Sequence, residues 1–134
     1  MRGVLDPNVL IAALLSRTGP PAVLVTRWLA GEFELVVSDK LLAELSRALA
    51  YPKIRKRVSA EVATAYLEML GEAALLVPDP AEAPIRSRDP DDDYLIALAE
   101  GASAVLVSGD DDLLALADTI PVRRPADFLA ELRD

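Results

Sequence analysis

Along the chain, short apolar runs alternate with stretches in which apolar side chains recur every three or four positions. The runs at 2–5, 35–37, 75–77 and 104–107, with a further one at Val122, have the length of buried strands. Helices are predicted between them. Asp6-Pro7 offers a cap followed by proline in the first helical position, so a helix is expected from there to about Leu15. Gly19-Pro20-Pro21 breaks it, and a second helix carries Val23, Leu24, Trp28 and Leu29 at helical spacing before Gly31. Ser38-Asp39 caps a third, whose stripe of Leu41, Leu42, Leu45 and Leu49 ends before Pro52. A basic turn follows, and Ser59 opens a fourth helix through Val62, Tyr66, Leu67 and Leu70 to Gly71. Pro78, Pro80, Pro84 and Pro90 mark an irregular connection of the length that tends to be functional or mobile. Asp89-Pro90 repeats the cap-then-proline signature and starts a helix to Gly101; a short helix after Asp112 and a last one from Pro125 to Leu132 complete the alternation.

Strand-helix alternation with short apolar strands implies a mostly parallel sheet covered on both faces, because parallel neighbours need a crossover and the crossover is usually a helix. The expected fold is therefore a three-layer α/β/α sandwich, with residues 1–134 forming one domain of ordinary size. With 52% apolar residues, the chain can bury a core without disulfides or a structural metal.

Composition narrows the chemistry. Cysteine and histidine are both absent, which excludes thiol catalysis, Ser-His-Asp triads, thiolate or imidazole zinc sites and any imidazole general base. Carboxylates or hydroxyls must act instead. Acids outnumber bases 22 to 14, and the sequence isoelectric point is near 4.5. The charge is unevenly spread. From Lys40 to Arg57 six basic residues face Glu44 alone, whereas from Asp89 to Asp112 eight acids stand without a base. No apolar run reaches the ~20 residues of a membrane span and the start lacks a signal-peptide pattern, so a cytoplasmic protein is expected.

In a parallel α/β sheet, functional groups collect beyond the carboxyl ends of the strands near the point where strand order reverses. Asp6 and Asn8 follow the first strand; Ser108, Asp110 and Asp112 follow the fourth. Glu44 lies at the margin of the apolar stripe of its helix, and at least one of Asp92 and Asp93 faces the sheet from the start of its own. Taken singly these residues read as caps and dipole partners. Together they deliver acids from several elements to one end of a sheet, where they would raise one another's pKa unless a cation sat among them. Ligation by oxygen alone selects Mg²⁺ or Mn²⁺. Two other readings are a phosphoryl-transfer or phospho-acceptor domain with Asp6 as nucleophile, and a catalytically silent protein-binding module. The first is weakened because Asn8 cannot act as a general acid and no lysine follows Lys56.

Four blocks in order carry a family resemblance. Val4-Leu5-Asp6-Pro7-Asn8-Val9-Leu10-Ile11-Ala12 resembles the opening motif of PIN-domain ribonucleases, the VapC-like toxins of prokaryotic toxin-antitoxin pairs. Residues 38–45 are similar to the segment with the family's second acid, here Glu44; residues 88–99 to the segment with the third, best matched by Asp93; and residues 105–114 to the fourth block, where Asp110 and Asp112 fall on acidic positions. Tyr51-Pro52-Lys53 resembles a toxin subgroup of the same family. Pro7 and Ser108 stand where the family usually has threonine, which implies a missing hydroxyl near the first acid. The resemblance implies Mg²⁺- or Mn²⁺-dependent cleavage of RNA phosphodiesters, homodimerisation or higher self-assembly, and inhibition by a small antitoxin protein. On that basis Asp6, Glu44, Asp93 and Asp110, with Asp112, would hold the ions, while Asn8, Ser108 and Asp92 support them. Lys53, Arg55, Lys56 and Arg57 would contact RNA phosphates without reading sequence.

Overall fold

The computed structural model describes residues 1–132. Each expected strand and helix is present, in the order β1 (Arg2–Leu5), α1 (Pro7–Leu15), α2 (Pro20–Leu29), β2 (Glu34–Val37), α3 (Asp39–Leu49), α4 (Pro52–Arg55), α5 (Ala60–Ala73), β3 (Leu75–Leu76), α6 (Pro90–Gly101), β4 (Val105–Val107), α7 (Asp111–Leu114), β5 (Val122–Arg123) and α8 (Pro125–Leu132). The basic turn departs from expectation: residues 52–55 form the helical turn α4, started by Pro52 after the extended Tyr51.

The sheet is parallel throughout, in the order β3-β2-β1-β4-β5. From β1 the chain winds outward through β2 to β3, then crosses back to build β4 and β5 on the other side. The reversal leaves a crevice between the ends of β1 and β4. Helices α1, α2, α3, α5 and α8 contact one another, whereas α6 packs on β1 and β4, giving an α/β/α sandwich. The strands are apolar on successive positions because both faces are covered; Val4, Leu5, Leu35, Val36, Val37, Leu106 and Val107 are essentially inaccessible.

Serine and aspartate side chains start the helices as the sequence predicts. Asp6, Ser38, Ser59, Asp89 and Asp110 each accept a backbone N–H of the first turn. Gly3 is one place where the absence of a side chain matters: a Cβ there would come within 3.2 Å of the Phe128 ring, which stacks edge-on against Phe33 with centroids 5.2 Å apart. No single helix among the described residues is long and apolar enough to cross a membrane, and the apolar pair α1 and α2 is bent by 99°.

Candidate active site

Asp6 ends β1 and caps α1, so one residue is held by the two elements that meet at the crevice. Its carboxylate is buried and takes a hydrogen bond on each oxygen: Asn8 N–H donates to Oδ1 at 3.0 Å, and the Ser108 hydroxyl donates to Oδ2 at 2.9 Å. Ser108 is itself inaccessible and sits just beyond β4, where its Oγ also accepts the Asp110 N–H at 3.1 Å. The two sides of the reversal are thus tied through one hydroxyl. This corrects the expectation of a missing hydroxyl: serine at position 108 supplies the hydrogen bond without a threonine methyl.

Around Asp6 opens a cavity of about 330 Å³ lined by six acids, Asp6, Glu44, Asp89, Asp91, Asp92 and Asp110, together with Asn8, Arg47 and Tyr51. Four separate elements deliver them: the β1 end, α3, the start of α6 and the β4–α7 turn. Burial, resisted by the bonds from Asn8 and Ser108, raises the Asp6 pKa, and the Asp110 charge adds to the rise. Glu44 is raised for the same reasons, by desolvation first and then by the charges of Asp91 and Asp6, against Lys40 and Arg47. The largest effect falls on Asp92. Burial, the charges of Asp110, Asp89 and Asp6, and a hydrogen bond shared with Asp110 push it up to about 7. These carboxylates stand together with too little positive charge to balance them. Among the described residues no three acidic side chains already form a closed ion cage, so the site is an open cleft of carboxylates.

A family model for the PIN domain matches residues 2–112. The chain belongs to the PIN domain family. Its relatives include MJ1680 of Methanocaldococcus jannaschii, 27% identical over 115 residues, or 86% of this chain and 74% of that protein. Among solved structures, PAE2754 from Pyrobaculum aerophilum superposes with a TM-score of 0.67 at 20% identity, over 99% of this chain and 90% of that one. VapBC2 from Rickettsia felis, solved bound to a DNA fragment from their promoter, gives a TM-score of 0.66 at 15% identity over 92% and 98%. At these identities the structural likeness speaks for a shared fold.

Within this PIN domain the remaining expected residues divide. Asn8 lies on the cavity wall, as does Glu44. Asp93 does not. It is turned to the far side of α6, where its Oδ1 accepts the Arg86 N–H at 2.9 Å, the Ser87 N–H at 2.8 Å and the Ser87 hydroxyl at 2.8 Å. Those bonds, the Arg86 N–H foremost, hold it below the usual carboxylate range. Asp92, expected only to support the site, occupies the cavity in its place. Successive residues on a helix point about 100° apart, so only one of the pair can face β1. Asp112 is exposed and lies outside the cavity; its N–H caps onto Asp110 Oδ1 at 2.9 Å.

The basic segment also divides. Arg55 donates through Nε and Nη2 to the Leu49 carbonyl, closing the end of α3, and Arg57 donates to the Leu15 carbonyl at 3.0 Å, closing α1. Both guanidinium groups thus serve helix ends, and only Lys53 and Lys56 extend into solvent without a partner among the described residues. Among the described residues Arg47 is the only basic one that lines the acidic cavity, a position the sequence reading did not single out. Nor did it find the buried pair of Ser38 and Tyr94, whose hydroxyls bond one another while Tyr94 also donates to Asp79 at 2.6 Å. That pair fastens the proline-rich connection to α3 and α6.

Proposed function

We propose that this PIN domain is a divalent-metal-dependent ribonuclease acting as the toxin of a toxin-antitoxin pair, with its 134 residues forming one catalytic unit. The observation that carries the reading is the convergence of Asp6, Glu44, Asp92 and Asp110 from four elements on the strand-order reversal, with Arg47 as the one cation among the described residues on the cavity wall. Family membership and the likeness to VapBC2 support it.

The donor set fits a hard divalent ion. It is oxygen throughout, and three of its carboxylates carry raised pKa values that a cation would relieve. Asp6, Glu44, Asp92 and Asp110 would hold Mg²⁺ or Mn²⁺. A divalent ion held there would supply Lewis acidity, making hydroxide available at neutral pH and offsetting charge on phosphodiester oxygens. The protein's own groups do the remaining work. Ser108 and the Asn8 N–H fix the Asp6 carboxylate in one orientation, so its position does not depend on the ion. Asn8 itself, exposed on the cavity wall, can donate and accept, which suits it to orient a phosphate beside Asp6. Asp93 takes no part in ligation in this reading: it positions the first turn of α6 so that Asp92 faces inward.

The test is incubation of purified, partner-free protein with labelled single-stranded RNA in Mn²⁺, Mg²⁺ or EDTA. Cleavage confined to the metal-containing reactions is expected. RNA left intact in all three favours the silent binding module.

A further inference from the structure

Four residues of α3 and its continuation, Glu44, Arg47, Ala48 and Tyr51, are spaced i, i+3, i+4 and i+7, and all four line the acidic cavity. The turn persists past the helix end because Ala50 N–H bonds the Arg47 carbonyl and Tyr51 N–H bonds the Ala48 carbonyl. One face therefore presents an acid, a guanidinium, a small gap and an aromatic ring in line.

Arg17 and Arg88 are also exposed and unpaired among the described residues, but Arg47 is set apart by its place on the cavity wall, and Tyr51 from the other tyrosines by its exposure. Arg47 is exposed amid six acids, yet its guanidinium makes neither a hydrogen bond nor an ion pair among the described residues, whereas those of Arg55 and Arg57 are spent on carbonyls. A planar guanidinium left free at the mouth of an anionic cleft is suited to a two-pronged hold on a phosphate. Of the three tyrosines, Tyr66 and Tyr94 are 8% and 4% exposed and donate to the Leu10 carbonyl and to Asp79. Tyr51 is 59% exposed and its hydroxyl has no partner among the described residues. Its backbone is nevertheless well held, since its carbonyl accepts the N–H groups of Ile54 and Arg55 at the start of α4 and Pro52 follows it. A ring that is exposed but mounted on ordered backbone is a stacking platform whose ordering cost is already met.

We propose that this face is a nucleotide-binding strip, on which Arg47 grips a phosphate of single-stranded RNA and Tyr51 stacks on the adjoining base. The inference rests on the ribonuclease reading and gives that site its grip on the substrate. The six acids repel a polyanion from the cleft, so Arg47 at the rim determines where the backbone can approach. Tyr51, four residues beyond Arg47 on the same face, holds a base rather than the reacting phosphate. Stacking tolerates any base, so the strip fixes register without reading sequence.

The test uses fluorescence anisotropy of a short labelled oligouridylate with Ca²⁺ in place of Mn²⁺, alongside cleavage in Mn²⁺. Arg47→Gln is expected to weaken binding about tenfold and to lower the salt slope by about one. Tyr51→Ala is expected to weaken it about tenfold, Tyr51→Phe to stay within about twofold, and an abasic ribose-phosphate oligomer to ignore both Tyr51 changes. In Tyr51→Trp, added oligouridylate should quench the new indole, a signal distinct from Trp28, which is only 6% exposed. Wild-type protein that binds and cleaves RNA while Arg47→Gln and Tyr51→Ala bind within about twofold of it overturns the strip alone. Wild-type protein that neither binds nor cleaves overturns the ribonuclease reading and the strip with it.

Discussion

Replacing Asp92 by asparagine should make the metal-free protein more stable at pH 8, contrary to the usual effect of altering a buried polar residue. Asp92 is 9% exposed and pressed against Asp110, with Asp89 and Asp6 nearby, and its pKa is raised from 3.8 to about 7. A group whose folded pKa exceeds its unfolded one takes up a proton on folding, so stability is fullest below about pH 4 and is lost as pH climbs through about 7. The full shift corresponds to an upper bound of about 4 kcal/mol. The cleft is open to water, and screening reduces this to about 1–2 kcal/mol. Asparagine cannot ionise and keeps an N–H to donate to Asp110. Thermal melts in EDTA from pH 4 to 8 should therefore show the unmodified protein losing about 3–10 °C across the range beyond the trend of the variant, taking roughly 3–5 °C per kcal/mol for a chain of this size. Parallel curves for the two proteins, or a variant less stable at pH 8, would show that the cavity acids do not strain the fold and that the electrostatic argument fails.

The neighbouring position should respond with the opposite sign. Asp93→Asn exchanges the charged acceptor of three hydrogen bonds for a weaker neutral amide oxygen, so it should lower the midpoint at neutral pH and lose that effect as acid protonates the native carboxylate, which melts at pH 7 and pH 3 would reveal. Ser108→Ala strips a donor from Asp6 and an acceptor from the Asp110 N–H in an inaccessible place, and a cost of about 1–3 kcal/mol in urea unfolding is expected. A midpoint unchanged in Ser108→Ala would mean that water replaces the hydroxyl at no cost.

What was legible in the sequence was local. Cap-then-proline at Asp6-Pro7 and Asp89-Pro90 is a signal contained in two residues, and both helices begin there. The strands followed from unbroken apolar runs, and their alternation with helices from the need for crossovers. What escaped depended on distant partners. Asp92 and Asp93 are equivalent by propensity, and the choice between them was made by the Arg86 and Ser87 groups of an irregular loop that captures Asp93. Arg57 reads as a free cation until the Leu15 carbonyl, 42 residues earlier, is found beside it. The Ser108 hydroxyl reaches an acid 102 residues away, a contact that exists only because β1 and β4 pair. Arg47 belonged to a basic cluster by count and was set apart from it only by the direction of one helix face.

The central claim is that the acids at the β1–β4 reversal form a divalent-cation site, and the most direct measurement is the thermal midpoint with increasing Mn²⁺ for the unmodified protein and for Asp6→Asn. Ligand binding to the folded state alone stabilises it by about 2.7 kcal/mol at a hundredfold excess over the dissociation constant. The midpoint of the unmodified protein should rise by about 8–13 °C, taking roughly 3–5 °C per kcal/mol, while Asp6→Asn, lacking the carboxylate that Ser108 and Asn8 hold in place, should start higher in EDTA and respond weakly. A midpoint that does not move from EDTA to millimolar Mn²⁺, or a rise of equal size in Asp6→Asn, would contradict the claim.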